Sequence, residues 1–364
     1  MTDALFSPDL DLLFIRLCDE AIASLAPLSS PGPGPTDAPS PIEHLPPLRF
    51  PRPLRRIAVT DISSTLHCEA QMLLEKVTHH RRTTTPAMAA GKHIHRNLEL
   101  AVNGPELAIP ITSTEDIWAL RFVNAILAIK SLVRDGIARE VPVLGRLGPL
   151  LVYGIIDEVH RKPDHSFHVR DTKTRVRRSL PPEESQRPSR LQVAVYRRFF
   201  MEMARLDRDF VLERLDLDPQ KELGSAVVEQ LLIMGLSLGV ATRPLSPISP
   251  NDGPPRAHFP PTCPDTWTIA ELFRVTTSYF GMIPSISPLL ELSYVHQYSG
   301  DVIGTVEFDY DEVDLNNMLS RTSSLFTGQR EAVGVEVDEA YKCRGCDYAE
   351  QCRWRIERAD GPIN

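Results

Sequence analysis

The run Leu150-Leu151-Val152-Tyr153-Gly154-Ile155-Ile156 most narrows what this chain can become. Nearly continuous apolar character over so short a stretch is the mark of a strand covered on both faces. The run ends in Asp157-Glu158. A second strand-like run, 166–173, follows after one hairpin. Side chains alternate faces along a strand, so Phe167, Val169, Asp171 and Lys173 share one face. An apolar face thus runs straight into a carboxylate and a lysine, and burying those charges is costly without partners or a metal. A strand ending in Asp-x-Lys, one hairpin after a buried strand ending in Asp, is the arrangement of metal-dependent nucleases. Two carboxylates hold Mg²⁺ (or Mn²⁺), and a lysine orients or deprotonates the attacking water. The blander reading is a salt-bridged hairpin end with an exposed lysine, since Asp-x-Lys is common by chance.

Apolar periodicity predicts helices over 7–26, 61–78, 85–102, 115–135 and 188–206, with weaker ones at 224–237, 267–276 and 311–325. It predicts strands at 140–144, 150–159 and 166–173, and a hairpin over 290–309 turning at 298–301. On the 85–102 helix, Gly91, His95 and Glu99 follow one another along the flank of the apolar stripe, which makes His95 a candidate third ligand. Gln192 and Tyr196, four residues apart, point the same way from the helix after the lysine strand. Residues 170–198 carry nine Lys/Arg against three acids, a local excess of +6 in a chain of net charge −8. Arg175, Arg177 and Arg178 within it suit a phosphate backbone. Mixed signs would suit a merely solvated face better.

Cys343, Cys346 and Cys352 form Cys-x₂-Cys-x₅-Cys, a strong metal-ligand spacing. Cys68 is the best fourth candidate, because on a continuous 61–78 helix it falls nearly opposite the apolar stripe. Cys18 and Cys263 have weaker claims. Four thiolates suit either zinc or an iron–sulfur cluster, and spacing alone does not choose.

Taken together, Gly91-x₃-His95-x₃-Glu99, Gly154-Ile155-Ile156-Asp157, Asp171-Thr172-Lys173-Thr174, Gln192-x₃-Tyr196 and the four cysteines resemble the exonuclease V family, within the RecB-like PD-(D/E)xK nucleases. The resemblance runs from about residue 58 to 356. It implies an α/β fold: a restriction-endonuclease-like core with a mixed central sheet flanked by helices. It implies a single-strand-specific DNA exonuclease, directed to 5′ ends and releasing short oligonucleotides. Divalent metal would be held by His95, Asp157, Asp171 and the carbonyl of Thr172. Lys173 would position the water, and Gln192 and Tyr196 would contact substrate. Cys68, Cys343, Cys346 and Cys352 would bind a [4Fe–4S] cluster stapling the N-terminal helix to the C-terminal tail. Beside the site, that staple would form a hole admitting one strand with a free end. The partners implied are single-stranded DNA and a single-strand-binding protein, for a monomer serving mitochondrial or nuclear DNA maintenance. Asp171 stands where many such nucleases have Glu, and that shorter arm bears on the metal geometry.

Length and composition set the frame. With 364 residues, 42% hydrophobic and 24% charged, the chain reads as a folded globular protein, with no apolar run long enough to span a membrane. Its 32 prolines concentrate in 27–53 and 243–264, read as linkers. The domain expectation is an arm and linker over 1–53, one nuclease domain over 54–356 interrupted near 243–264, and a tail over 357–364. No secretory signal is visible, and the acidic start is a poor matrix presequence. The competing expectations are a catalytically silent single-strand-binding module and a zinc-stabilised interaction protein.

Overall fold

The computed structural model describes residues 14–15, 47–78, 86–103, 106–107, 110–234 and 267–359. The 7–26 helix, Cys18, Cys263 and the 243–264 insertion therefore lie outside the described residues, except that Phe14–Ile15 is a short strand paired with Glu106–Leu107.

Six strands form one mixed sheet: β1 (Arg56–Ala58), β2 (Ile137–Leu147), β3 (Leu150–Arg161), β4 (Phe167–Arg175), β5 (Leu289–His296) and β6 (Val302–Asp309). The apolar run at 150–156 is the axis of β3. One edge of β3 pairs antiparallel with β2 along its whole length. The other edge is shared. Its first half pairs parallel with β1, its last four residues antiparallel with β4. β4 continues parallel to β5, which closes the predicted hairpin with β6.

Helices α1 (Val59–Ser64), α2 (Glu69–Thr78), α3 (Pro86–Asn103), α4 (Thr114–Asp135), α5 (Glu183–Glu202), α6 (Arg208–Leu215), α7 (Ser225–Ile233), α8 (Ile269–Phe280), α9 (Glu312–Phe326) and α10 (Arg353–Ala359) flank the sheet. The longest, α4, packs on β2 and α8. It begins at Ser113, whose hydroxyl accepts from Asp116 N at 3.1 Å, and stops at Gly136 with φ 78°. α3 lies against β2 and β4, and α5 crosses β2, β4 and β5, so both deliver side chains to the middle of the sheet.

Three sequence expectations change. The 61–78 helix is two helices, broken over 65–68 by tight three-residue hydrogen bonds from Thr65, Leu66 and His67. Cys68 precedes α2, where its sulfur accepts from Gln71 N at 3.4 Å, so the stripe argument that singled it out does not apply. α5 starts at Glu183 and carries Pro188 inside it, and Gln186 Nε2 donates to Pro181 O at 2.9 Å at its first turn. Finally, Leu48 and Phe50, at the end of the stretch read as a tether, are buried core residues, with the Phe50 ring tilted against Phe326 at 5.6 Å.

The two ends of the described fold meet at α2. Glu69, buried at its start, takes hydrogen bonds from Arg330 Nη1 (2.6 Å), Arg330 Nη2 (2.8 Å) and Val333 N (2.9 Å). Burial alone would raise its pKa, but Arg330 and the Val333 amide hold the carboxyl below the usual range. Its contribution is present above the ordinary carboxylate pKa and fades as pH falls through the lowered one. Glu69→Ala removes these charge-assisted bonds while Arg330 keeps its Arg321 and Glu331 carbonyl partners, and is expected to cost about 1–3 kcal/mol at pH 7. Urea denaturation at pH 7 and pH 3 checks this, with the gap between wild type and variant narrowing at the lower pH.

Candidate active site

The β3–β4 ladder stops at Glu158↔Arg170. The next residues along each strand are Asp157 and Asp171, and there the strands part. In place of a further ladder bond, Asp157 Oδ2 accepts from Thr172 N at 2.7 Å. Both carboxylates face the gap so opened. Asp171 is fully buried, and its Oδ1 has no hydrogen-bond partner among the described residues. Its Oδ2 lies 2.8 Å from Lys173 Nζ.

Burial sets the electrostatics. It pushes Asp171 up to about 7, with the Lys173 ammonium pulling the other way and Asp157 adding to the rise. Asp157 is raised by the same desolvation, partly offset by Lys173. Burial alone would lower Lys173, but the Asp171 and Asp157 carboxylates raise it above the ordinary value, so it stays protonated at neutral pH. His95, on α3, is held low mainly by burial, so its ring is neutral. Its Nδ1 lies 3.6 Å from Asp157 Oδ2, too far for a hydrogen bond.

Close approaches explain the glycines of the motifs. A Cβ at Gly91 would meet Thr174 Oγ1 at 3.0 Å, so glycine lets α3 and its His95 settle onto β4. A Cβ at Gly154 would meet Tyr196 Cε1 at 2.7 Å and Val59 Cγ2 at 2.8 Å. Glycine there admits the Tyr196 ring against β3.

Gln192 and Tyr196 are placed differently from the expectation. Tyr196 is only 3% exposed, so its ring faces protein and not a passing substrate. Gln192 Nε2 donates to the Tyr196 hydroxyl at 3.0 Å, and Gln192 Oε1 accepts from Lys173 Nζ at 3.0 Å. The pair forms a relay that aims the lysine. The +6 segment is likewise not one patch. Arg170 faces the other side of the sheet, between Glu158 and Glu291 at 2.8 Å each. Arg190 pairs with Glu183 at 2.8 Å, Arg198 pairs with Glu202 at 2.8 Å, and Arg197 donates to the Ser287 and Ile286 carbonyls. A linear charge count cannot see that strand alternation and helix faces scatter these groups. Arg175 is half-buried, and Arg177 and Arg178 are exposed just beyond Lys173, with Arg178 3.5 Å from Asp301. The side chain of Glu99 lies outside the described residues.

Glu140 was missed. Among the described residues, one set of three or more His, Cys, Asp or Glu brings ligand atoms within 4.8 Å of one another: His95, Glu140 and Asp157. Glu140 has φ 51°, the left-handed region, inside β2. Such a conformation costs a non-glycine residue on the order of 1–3 kcal/mol. The only sequence signal was an acidic residue heading the Val-Pro-Val run.

One cysteine, Cys68, sits just before α2, and three lie in the C-terminal tail. Cys68, Cys343, Cys346 and Cys352 are all half-buried and unbridged. Burial raises Cys68 and Cys346, and neighbouring thiols add to it: Cys352 and Cys346 for Cys68, Cys352 for Cys346. Cys343 O accepts from Cys346 N at 3.3 Å, which folds the first two cysteines of the tail into one turn.

A mixed sheet flanked by helices, split where two aspartates, a lysine and a histidine converge, defines an α/β protein with a charged site at its centre. The family model for exonuclease V, described as a 5′ deoxyribonuclease, matches residues 46–170 and 160–355, and the chain belongs to that family. It is similar to Exonuclease V of Danio rerio, 27% identical over 316 residues, covering 84% of this chain and 73% of the relative. It is also similar to the mitochondrial Exonuclease V of Candida glabrata, 23% identical over 408 residues, covering 82% and 79%. A solved structure, that of SSO0001, overlays 82% of this chain and 86% of its own with a TM-score of 0.37 at 11% identity, too distant to carry an argument.

The raised Asp171 pKa would make binding of a cation at this carboxylate proton-linked. Without metal, the folded state binds a proton at Asp171 that the unfolded state has lost, so stability falls as pH rises from about 4 to about 7. Mn²⁺ affinity is expected to climb with pH up to about 7 and then level off, and Asp171→Asn should remove that climb. Calorimetric titrations from about pH 6 to about pH 8, repeated in buffers of different ionisation enthalpy, check both the slope and the protons released.

Proposed function

We propose that this protein is a single-strand-specific DNA exonuclease that hydrolyses phosphodiesters with divalent-cation assistance and starts from 5′ ends. The observation that carries the reading is the split between β3 and β4, which sets a partly exposed Asp157 and a fully buried Asp171 beside a charged Lys173. The family description and the names of the relatives support the 5′ deoxyribonuclease part. The residues fit a hard cation: buried Asp171 has an oxygen without a hydrogen-bond partner, and His95 offers a neutral nitrogen. His95, Asp157, Asp171 and the Thr172 carbonyl would hold Mg²⁺ or Mn²⁺, which supplies Lewis-acid charge and an acidified water.

The chain's own groups do the rest. Lys173, fixed by Asp171 and by the Gln192–Tyr196 relay, holds its ammonium where the attacked phosphate gathers negative charge. The Asp171 and Asp157 carboxylates favour that charge, and Lys173 would position the attacking water. Asp157 locks β4 in register through the Thr172 amide, which keeps the lysine and both carboxylates on one spot. Arg175, Arg177 and Arg178 continue β4 outward and would follow the phosphate backbone of the strand.

Cys68, Cys343, Cys346 and Cys352 would hold a [4Fe–4S] cluster. What supports this is four half-buried, unbridged thiols, one just before α2 and three in the tail, with Cys68, Cys346 and Cys352 feeling one another's charge. The cluster would reinforce the Glu69–Arg330 junction and frame a passage for one strand. The mitochondrial name of the Candida glabrata relative supports a role in mitochondrial genome maintenance. No helix among the described residues is long and apolar enough to cross a membrane.

Lys173→Ala and Asp171→Ala are each expected to lower cleavage by at least about a hundredfold while single-strand binding is retained. The assay uses linear DNA labelled at the 5′ or the 3′ end, a circular single strand and a duplex, with Mg²⁺ and anaerobically prepared protein. Full activity in both variants, or equal cutting of circles, would overturn the reading. For the cluster, Cys346→Ser is expected to bleach the brown absorption, lower bound iron and lower Tm together. A colourless, zinc-loaded wild-type protein would replace it with a zinc site.

A further inference from the structure

Glu140 lies directly across from Asp157. The β2–β3 ladder pairs Arg139 with Glu158 and Val141 with Ile156, which places Glu140 opposite Asp157 between them. On the other edge of β3, Asp171 is the next residue beyond the Glu158↔Arg170 pair. Three carboxylates therefore stand in a row across three strands, with Asp157 in the middle. The Tyr196 hydroxyl feels the charge of all three.

The backbone at Glu140 is unusual for its place. Two other non-glycine residues among those described have positive φ, His165 and Asp216. The first lies in the β3–β4 hairpin and the second caps α6, places where turns require it. Glu140 alone adopts it inside a strand. An outlier of that kind persists where the surroundings over-determine it, commonly at a working site. Its carboxylate comes within 4.8 Å of ligand atoms on His95 and Asp157. The neighbouring Asp171 is buried with Oδ1 lacking a hydrogen-bond partner. The cluster is thus a mixed nitrogen and oxygen set beside an unsatisfied buried oxygen, donors that suit a divalent cation.

We propose that Glu140 is a further ligand of the divalent cation, turned into the site by its left-handed backbone on the His95 side of Asp157. This rests on the cation reading of Asp157 and Asp171 above. Asp171 with Lys173 serves the side of the site toward β5, and Glu140 with His95 serves the side toward β2. The strain at residue 140 is then a cost retained for ligand placement and not for folding.

Two substitutions separate ligand from strain. Glu140→Ala removes the carboxylate and keeps a Cβ in the left-handed region. Glu140→Gly removes both, since glycine tolerates positive φ. Equilibrium Mn²⁺ binding is read by loss of the free-ion EPR signal on full-length anaerobic protein, with Asp157→Ala as reference. Both Glu140 variants are expected to bind Mn²⁺ at least about tenfold more weakly than wild type. Metal-free Glu140→Gly is expected to melt above Glu140→Ala. Wild-type Mn²⁺ affinity in Glu140→Ala, with binding lost in Asp157→Ala, would overturn the Glu140 role and leave the cation site standing. Wild-type affinity in Asp157→Ala as well would bring down the cation reading and the Glu140 role together. Glu140→Ala melting at or above Glu140→Gly would overturn the strain argument.

Discussion

The hydrogen bond from the Thr172 amide to Asp157 Oδ2 is the constraint on which the site depends. A buried amide must find an acceptor. Where β4 peels from β3, the ladder no longer supplies one, and the Asp157 side chain takes its place. That substitution ends the sheet between two strands without leaving an orphan donor. It also fixes Asp157 and Asp171 across the opening, and sets Lys173 one residue beyond Thr172. The pKa shifts follow from this placement. Carboxylates kept from water rise, and an ammonium between them rises as well.

The helices on the site's side are held by close contact more than by propensity. Gly91 brings α3 against Thr174, and Gly154 admits Tyr196 from α5. His95 and the Gln192 relay arrive at the gap because two strands and two helices touch at positions where a methyl group would intrude. The opposite side of the same strands is a second charged layer. There Arg170 joins Glu158 and Glu291, and His160 lies 3.2 Å from Glu158. Burial would raise Glu291, but His160, Lys162 and Arg170 hold its carboxyl far below the usual range. Alternate residues of one strand thus serve two separate polar networks.

Much of the site could be read from residue order. The apolar run ending in Asp157, the Asp171-x-Lys173 pair, and the flank position of His95 all depend on local periodicity, which a sequence displays directly. The readings that changed depend on contacts between distant segments. The four-residue spacing of Gln192 and Tyr196 gave their shared direction but not that the ring is buried against Gly154. The +6 count gave the arginines but not their faces. Cys68 was singled out by a helix that does not run through it. Glu140 and the Glu69–Arg330 junction had no local signature, because their partners lie on other strands or about 260 residues away.

The sequence by itself determined that helices and strands follow one another along the chain, which two strands end in charge, and which residue types were available for chemistry. Periodicity and side-chain chemistry are properties of neighbours along the chain, and they survive without knowing the fold. Tertiary structure alone decided where the sheet splits, which charges become partners, and that a glutamate on β2 turns toward the histidine of α3. Register, burial and close approach arise only when strands from separate parts of the chain lie side by side, and the electrostatics of the site follow from them.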